Sequence, residues 1–254
     1  GVLAASMLFT GCSKKAESKV PDKLIVGTNA EFPPFEYMND KKQPEGFDIA
    51  MIKEIGKRMG KKVEIKNMEF KSLIGAMESD SINAIIAGMT KTEKREKAVD
   101  FSDSYYTTNQ AIILKKDSKI TKLAQLDGKK IGVQEGTTGD LISSGDKFGD
   151  GKKAKVLVKG AKVKRFKKGV DAVMDLKNGS VDAVVIDELT ANEFVKKNAK
   201  KLKIVIDSAG SEYYCIALTK GNTAYKEEVN KQIKAIKEDG TYDKLKAKYI
   251  DSKN

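Results

Sequence analysis

Short β-branched runs alternate with stretches of helical periodicity along most of the chain. The first unit predicts a strand at 24–28, an amphipathic helix at 46–59 and a second strand at 62–68. Asp48 is placed to cap that helix. Strands that alternate with helices at this pace are typical of an α/β fold, in which helices cover a parallel sheet.

The same alternation begins again in the second half of the chain. The elements predicted there lie at 129–133, 139–147, 163–166, 169–178, 181–186, 189–199, 202–206 and 213–219. Two successive series of this kind predict two lobes. We expect the C-terminal helix to return to the first lobe, so that the chain crosses near 104–110 and again near 207–212, and two crossing strands make a hinge.

The N-terminal 11 residues are apolar, uncharged and too short to span a bilayer. They are typical of the end of a secretory signal peptide. The stretch Phe9-Thr10-Gly11-Cys12 resembles a bacterial lipobox, which implies lipid attachment at Cys12; an ordinary signal peptide followed by an incidental cysteine is the alternative. We therefore expect a signal remnant and flexible tether at 1–22, lobe 1 at 23–107 plus 211–254, and lobe 2 at 108–210.

Composition narrows the chemistry. The 254 residues carry 48 Lys plus Arg against 36 Asp plus Glu, a net charge of +12. Almost all the basic residues are lysines spread along the chain, whereas nucleic-acid recognition favours arginine, so a solvated surface beside an anionic envelope is favoured over a nucleic-acid partner. There is no histidine, which removes Ser-His and Cys-His nucleophiles and His-ligated zinc. We predict neither a metal nor a cofactor, and Cys12 with Cys215 cannot form a disulfide framework.

Two charged residues follow predicted strands, where parallel sheets place their ligands. Arg95 comes after the strand at 82–87, and a cap at Thr92 would put it in the first turn of a helix, which suits a carboxylate. Asp187 comes directly after the strand at 181–186 and suits an ammonium group. A free amino acid needs both partners in a dry site. The alternatives are a surface arginine and an aspartate that caps the next helix.

Two further features lie in predicted loops. The turn at 134–139 (QEGTTG) brings backbone N–H donors to an anion, but it is not a Walker loop. Four aromatic residues lie in the two early loops, where they either clamp the aliphatic part of a ligand or belong to the core. They are Phe32, Phe35, Tyr37 and Phe70.

Several motifs, in this order, resemble the polar amino-acid-binding proteins of bacterial ABC importers. They are VGTNAEFPPFE at 26–36, GFD at 46–48, AGMT at 87–90 continuing to Arg95, VDFS at 99–102, GTT at 136–138, VDA at 181–183 with Asp187, and DGTY at 239–242. The resemblance extends from residue 23 to about 250. It implies a periplasmic-binding-protein-like fold, with two α/β lobes that are joined by a two-strand hinge and close on a ligand.

The resemblance also implies a set of ligand-binding residues. These are Asn29, Phe32, Phe70, Gly88, Met89, Thr90, Arg95, Thr138 and Asp187. In this interpretation Arg95 holds the α-carboxylate with the help of Thr90 and Thr138, and Asp187 takes the ammonium with the Gly88 carbonyl. The two phenylalanines sandwich the ligand side chain.

Departures from the family pattern bear on the ligand. Asn29 stands where glutamine- and histidine/lysine-binding relatives carry Asp, so a cationic ligand would rely on Glu31 or Glu36 for the missing charge. Arginine, lysine and glutamine are the candidates. Cys215 stands where a small residue is usual, and we interpret it as a buried small hydrophobe.

The function implied is binding of a polar amino acid by a monomer, held outside the cytoplasm by a lipid on Cys12, and its delivery to the membrane permease of an ABC importer. One alternative is a periplasmic dehydratase-like enzyme of the same fold, with Glu31, Glu36 or Glu135 as the catalytic acid. The other is an amino-acid sensor without a transport role.

Overall fold

The computed structural model describes residues 18–253. The strands in this range are β1 (Lys23–Thr28), β2 (Glu31–Phe32), β3 (Glu36–Met38), β4 (Pro44–Glu45), β5 (Lys62–Asn67), β6 (Ala84–Ile85), β7 (Val99–Lys115), β8 (Lys130–Gln134), β9 (Lys147–Phe148), β10 (Lys155–Val156), β11 (Lys162–Phe166), β12 (Ala183–Asp187) and β13 (Leu202–Thr219). The α-helices are α1 (Phe47–Arg58), α2 (Leu73–Glu78), α3 (Glu93–Glu96), α4 (Thr138–Ser143), α5 (Gly169–Asn178), α6 (Glu188–Lys196), α7 (Thr223–Glu238) and α8 (Thr241–Tyr249).

The central sheet has the strand order β11-β8-β12-β7-β13-β6-β1-β5. Strand β1 runs parallel to β5 and β6, and β8 runs parallel to β11 and β12. These two parallel groups are the bases of the first and second lobes. Strands β7 and β13, paired antiparallel, run through both groups. The chain therefore has the two-lobed α/β architecture with a two-strand hinge that the sequence predicts.

The hinge strands are longer than the sequence indicates. Two separate strands are predicted at 202–206 and 213–219, but β13 is continuous over 18 residues. The intervening Asp-Ser-Ala-Gly-Ser segment, where we expect the chain to cross between the lobes, stays extended beside β7. The ladder slips there, between Asp207 and Glu212, so the segment is an irregularity within a strand.

Gly46 is the N-cap residue of α1, which begins at Phe47, and Asp48 is not its cap. Gly46 has φ 128°, and a Cβ there would lie 2.3 Å from the Phe35 carbonyl oxygen, so glycine is required. The Asp48 side chain instead accepts hydrogen bonds from the Gly88 N–H (2.7 Å) and the Tyr105 hydroxyl (2.8 Å). The predicted cap is therefore wrong, because this carboxylate points into the core toward the loop after β6.

The C-terminal helices return to the first lobe, as predicted. Arg58 at the end of α1 pairs with Asp239 at 2.7 Å and donates to the Thr241 hydroxyl. Cys215 is buried among apolar side chains, and burial raises the pKa of its thiol to about 11, which confirms its interpretation as a small hydrophobe.

Residues 1–17, with the predicted lipobox and Cys12, lie outside the described range. Within 18–253, no helix combines the length and apolar character needed to cross a membrane.

Candidate functional site

A narrow pocket lies between the lobes, where the loops after β1 and β6 face the carboxyl ends of β8 and β12. Side chains from both lobes form its wall. The lining residues are Asn29, Phe32, Phe70, Ala87, Gly88, Thr90, Arg95, Gln134, Thr137, Thr138 and Asp187. The carboxyl ends of parallel strands therefore supply the site, as expected for this fold.

Arg95 is a buried cation at this pocket. The Thr92 hydroxyl accepts a hydrogen bond from the Arg95 N–H at 3.2 Å, which confirms the predicted cap of α3. The guanidinium donates to the carbonyls of Thr90 (2.7 Å) and Gly136 (3.0 Å), and it lies 5.4 Å from the centre of the Phe70 ring. Burial lowers the Arg95 pKa to about 10, so the side chain is still cationic at neutral pH. At 7% exposure it is not a surface arginine.

Asp187 supplies the opposite charge from the second lobe. It precedes α6, but its side chain makes no capping hydrogen bond. Instead its carboxylate accepts from Gln110 Nε2 (2.8 Å) and from the Tyr214 hydroxyl, and it is 4% exposed. Burial raises the Asp187 pKa, and the negative charge of Glu212 raises it further. The structure thus rejects the capping alternative and places a desolvated carboxylate where a cationic group would be favoured.

The aromatic wall depends on a glycine. Phe32 and Phe70 both line the pocket. Gly88 has φ 51°, and a Cβ there would lie 2.8 Å from the Phe32 ring. Glycine at this position therefore allows the Phe32 ring to lie directly against the backbone. At the other end of the pocket, Asn29 accepts a hydrogen bond from Gln134 Nε2 at 2.8 Å, which links the two lobes.

Met89 is the one predicted ligand-binding residue that the structure places elsewhere. The other predicted residues, Asn29, Phe32, Phe70, Gly88, Thr90, Arg95, Thr138 and Asp187, all line the pocket. The Met89 side chain is 1% exposed and lies in the apolar core of the first lobe. The chain bends here, since Gly88 has φ 51°, and Met89 joins the apolar cluster that contains Met77 and Cys215 instead of lining the pocket.

Three polar residues behind the pocket are missing from the predicted set. Gln110 Nε2 lies within hydrogen-bond distance of Asp187, Glu212 and the Thr138 hydroxyl. The Tyr214 hydroxyl completes the group through Asp187. All three missing residues, Gln110, Glu212 and Tyr214, lie on the hinge strands. The available signal was a polar residue next to an apolar β-branched run, as at Gln110 before Ala-Ile-Ile-Leu.

Loops of the two lobes are also joined by ion pairs at the edge of the cleft. We call these the rim ion pairs: Lys71–Glu135 at 3.0 Å, Lys167–Glu69 at 2.8 Å and Lys168–Glu31 at 3.4 Å. Exposed pairs of this kind each contribute at most about 1 kcal/mol. Neither Glu31 nor Glu135 lines the pocket, and Glu31 is paired with Lys168 instead.

Two buried acids, Glu36 and Asp48, lie side by side in the core next to the pocket, and Asp48 accepts a hydrogen bond from the Gly88 N–H. Both are fully buried, and three of their four carboxyl oxygens have no hydrogen-bond donor unless one acid carries a proton. Burial, with Asp48 beside it, raises the Glu36 pKa well above its usual value. A protonated Glu36 that donates to ionised Asp48 satisfies the pair. Glu36 is therefore a neutral core residue and is not the charge that the sequence analysis proposed for the ligand.

Because Glu36 keeps its proton in the folded chain, we expect the effect of Glu36→Gln on the free energy of unfolding to depend on pH. Because the folded-state pKa is raised, the folded chain keeps a proton that the unfolded chain releases, and stability is lost as pH rises above the ordinary glutamate range. The loss approaches about 1.4 kcal/mol per pH unit. Glutamine keeps a donor for Asp48 but does not titrate. We expect the stability of the variant relative to the unmodified chain to increase from pH 5 to pH 8 in urea unfolding. Glu78→Gln on the exposed side of α2 is the control, and a difference that does not change with pH would contradict the protonated pair.

Within residues 18–253, no group of three or more His, Cys, Asp or Glu side chains is arranged to hold a metal ion.

Two lobes on a two-strand hinge, with opposite charges facing one interlobe pocket, define a solute-binding protein. Residues 24–252 match the bacterial extracellular solute-binding proteins, family 3, and the chain belongs to this family. It is 34% identical to the arginine-binding extracellular protein ArtP of Bacillus subtilis (strain 168), over 98% of this chain and 96% of that protein.

Solved structures agree with this assignment. An ancestral arginine-binding protein bound to arginine is 41% identical and has a TM-score of 0.80, over 91% of this chain and 100% of the other. The ancestral amino-acid-binding protein AncCDT-1, described as a precursor of cyclohexadienyl dehydratase, is 32% identical with a TM-score of 0.79, over 90% of this chain and 95% of the other.

Proposed function

We propose that this protein captures a free polar amino acid outside the cytoplasm and delivers it to the membrane permease of an ABC importer. The convergence of Arg95 and Asp187 on one buried pocket is the observation that carries the proposal. An amino acid carries a carboxylate and an ammonium on the same carbon. In a desolvated pocket each charge requires an opposite partner, and the two lobes supply one each.

L-Arginine is the first candidate ligand, and lysine and glutamine are the others. The rings of Phe32 and Phe70 suit a planar guanidinium, which stacks well on aromatic faces. The uncharged oxygen of Asn29 lies at the same pocket and can accept a hydrogen bond from the ligand side chain. Names of relatives and neighbours that refer to arginine support this order of candidates.

The proposal includes the predicted organisation of the chain. Lobe 1 comprises 23–107 plus 211–254, and lobe 2 comprises 108–210. A lipid on Cys12 anchors a monomer to the cell membrane through the tether, in the periplasm or at the outer face of the cytoplasmic membrane, and no cofactor takes part. The family match to extracellular solute-binding proteins supports the extracytoplasmic location.

We propose binding without catalysis. A dehydratase-like reaction needs an acid at the substrate, yet Glu31 and Glu135 are held in rim ion pairs and Glu36 lies in the core. The acidic residue that lines the pocket is Asp187, which an amino acid would neutralise. Incubation with prephenate-like acids should therefore give no product. A sensor role would be indicated if the chain binds an amino acid but does not support uptake with a permease and an ATPase.

A thermal-shift screen over the 20 common amino acids tests the proposed ligand class. A ligand that binds only the folded state raises its stability by about 2.7 kcal/mol at 100 times Kd. We expect L-arginine to give the largest rise in Tm, with citrulline as the uncharged control of similar shape. If no amino acid shifts the Tm, the proposed function is wrong; a larger shift with glutamine than with arginine would change only the ligand.

A further inference from the structure

Glu212 is a buried carboxylate for which the proposed binding scheme has no role. It lies on β13 where the ladder with β7 resumes after its slip, and it is 2% exposed. It does not line the interlobe pocket. It lies directly behind two residues that do, Thr90 and Thr138.

One oxygen of this carboxylate joins the two lobes. Glu212 Oε2 accepts hydrogen bonds from the Thr90 hydroxyl at 2.5 Å and from the Thr138 hydroxyl at 2.7 Å. Thr90 follows β6 in the first lobe, whereas Thr138 begins α4 in the second. The other oxygen, Oε1, accepts from Gln110 Nε2, so the carboxylate is held from a third side.

These hydrogen bonds fix how the two hydroxyl groups present themselves to a ligand. A hydroxyl has one hydrogen to donate and two lone pairs to accept with. Since both threonines donate their hydrogen to Glu212, only lone pairs remain for the pocket. Lone pairs attract an ammonium group, which only donates, and they repel a carboxylate, which only accepts.

The groups that contact the Glu212 carboxylate all donate to it: the Thr90 and Thr138 hydroxyls and Gln110 Nε2. Burial raises the pKa of Glu212, and these hydrogen bonds and the Arg95 guanidinium oppose that rise. Asp187 is the neighbouring like charge, and Gln110 lies between the two acids and donates to both. A cation placed between the threonines and Asp187 would therefore face acceptors on both sides.

We propose that Glu212 is a positioning residue for amino-acid capture, which gathers the Thr90 and Thr138 hydroxyls from the two lobes and turns their lone pairs toward the ligand ammonium. This inference rests on the proposed function. In this arrangement the ligand carboxylate is bound by Arg95 and by backbone N–H groups. It also makes the arrangement specific to the closed cleft, because the two threonines belong to different lobes.

The test is a double-mutant comparison with L-arginine as the probe in titration calorimetry. Glu212→Gln keeps the shape but replaces one accepting oxygen by a donating NH₂, and Glu212→Ala removes the acceptor altogether. Each is made in the unmodified chain and in a Thr90→Val/Thr138→Val background, where Glu212 has no hydroxyl to position. The Tm of every variant is measured, which shows that each one folds.

We expect each Glu212 substitution to weaken L-arginine binding at least tenfold in the unmodified chain and less than threefold in the valine background. A purely structural role would lower affinity equally in both backgrounds, and that result would overturn the proposal. Unchanged affinity in the unmodified chain would overturn it as well. If the unmodified chain binds no amino acid, both the proposed function and this inference fail. If it binds L-arginine but the Glu212 substitutions do not change the affinity, only this inference fails.

Discussion

Replacing Arg95 by alanine should weaken amino-acid binding by at least 100-fold while leaving the chain folded. The guanidinium is the cation that lines the pocket, and without it the ligand carboxylate would be buried with no opposite charge. Breaking a buried ion pair by removing one partner costs about 3–5 kcal/mol, which corresponds to more than a hundredfold in Kd. The variant also loses the hydrogen bond from Arg95 to the Gly136 carbonyl, which joins the lobes.

Calorimetry with the ligand identified by the thermal-shift screen measures this loss. Arg58→Ala is the matched control, because Arg58 lies on α1 and pairs with Glu54 and Asp239, away from the pocket. We expect its affinity to stay within twofold of the unmodified chain. The affinity of Arg95→Lys should lie between those of Arg95→Ala and Arg58→Ala, since lysine keeps the positive charge but lacks the planar guanidinium with its two parallel N–H donors. An Arg95→Ala variant that folds and binds normally would refute the assigned site.

Asp187→Asn should have the second largest effect, about a 100-fold loss of affinity, because an amide of the same shape carries no charge for the ligand ammonium. Without ligand, the same variant should be at least as stable as the unmodified chain. The reason is that burial disfavours the ionised carboxylate. Lower affinity with undiminished Tm separates a binding residue from a structural one. Asp182→Asn, directly before β12 and exposed, is the control.

The raised pKa of Asp187 also predicts that binding is linked to pH. The neutral acid is favoured in the buried site, whereas a bound ammonium favours the carboxylate. Binding should therefore release a proton, and affinity should rise with pH through this pKa. Calorimetry in two buffers with different ionisation enthalpies measures the release. In Asp187→Asn the release should vanish, and its persistence there would assign the proton to another group.

The fold was predictable because periodicity reports local structure and burial together. The helix at 169–178 coincides with α5, and both predicted lobes follow from alternating strands and helices. Arg95 and Asp187 were predictable as candidates because each follows an apolar run that the alternating pattern predicts to be a strand. Their surroundings were not, since the polar residues behind them lie within hinge strands whose length depends on tertiary pairing.

Asp48 illustrates the limit most clearly. Its position in the first turn of a helix predicts a cap. The side chain is instead directed by Glu36 and Gly88, and the sequence around Asp48 does not reveal that these residues lie beside it in the fold. The direction in which a polar side chain points depends on partners that are remote in sequence. Met89 was expected in the pocket because its neighbours Gly88 and Thr90 line it, but its apolar side chain packs in the core of the first lobe.

The continuous pairing of β7 with β13 bears on how fast the two halves can separate. Besides their ladder with each other, β7 pairs with β12 of the second lobe and β13 pairs with β6 of the first, so within residues 18–253 no strand ladder joins the two lobes directly. The slip between Asp207 and Glu212 is where the ribbon can twist. Separation then stretches no ladder and needs no local unfolding. The barrier resides in the side-chain contacts that cross the cleft, such as Arg95 to Gly136 and Asn29 to Gln134. The residence time of a captured molecule is therefore set by a handful of polar contacts that substitution can tune one at a time.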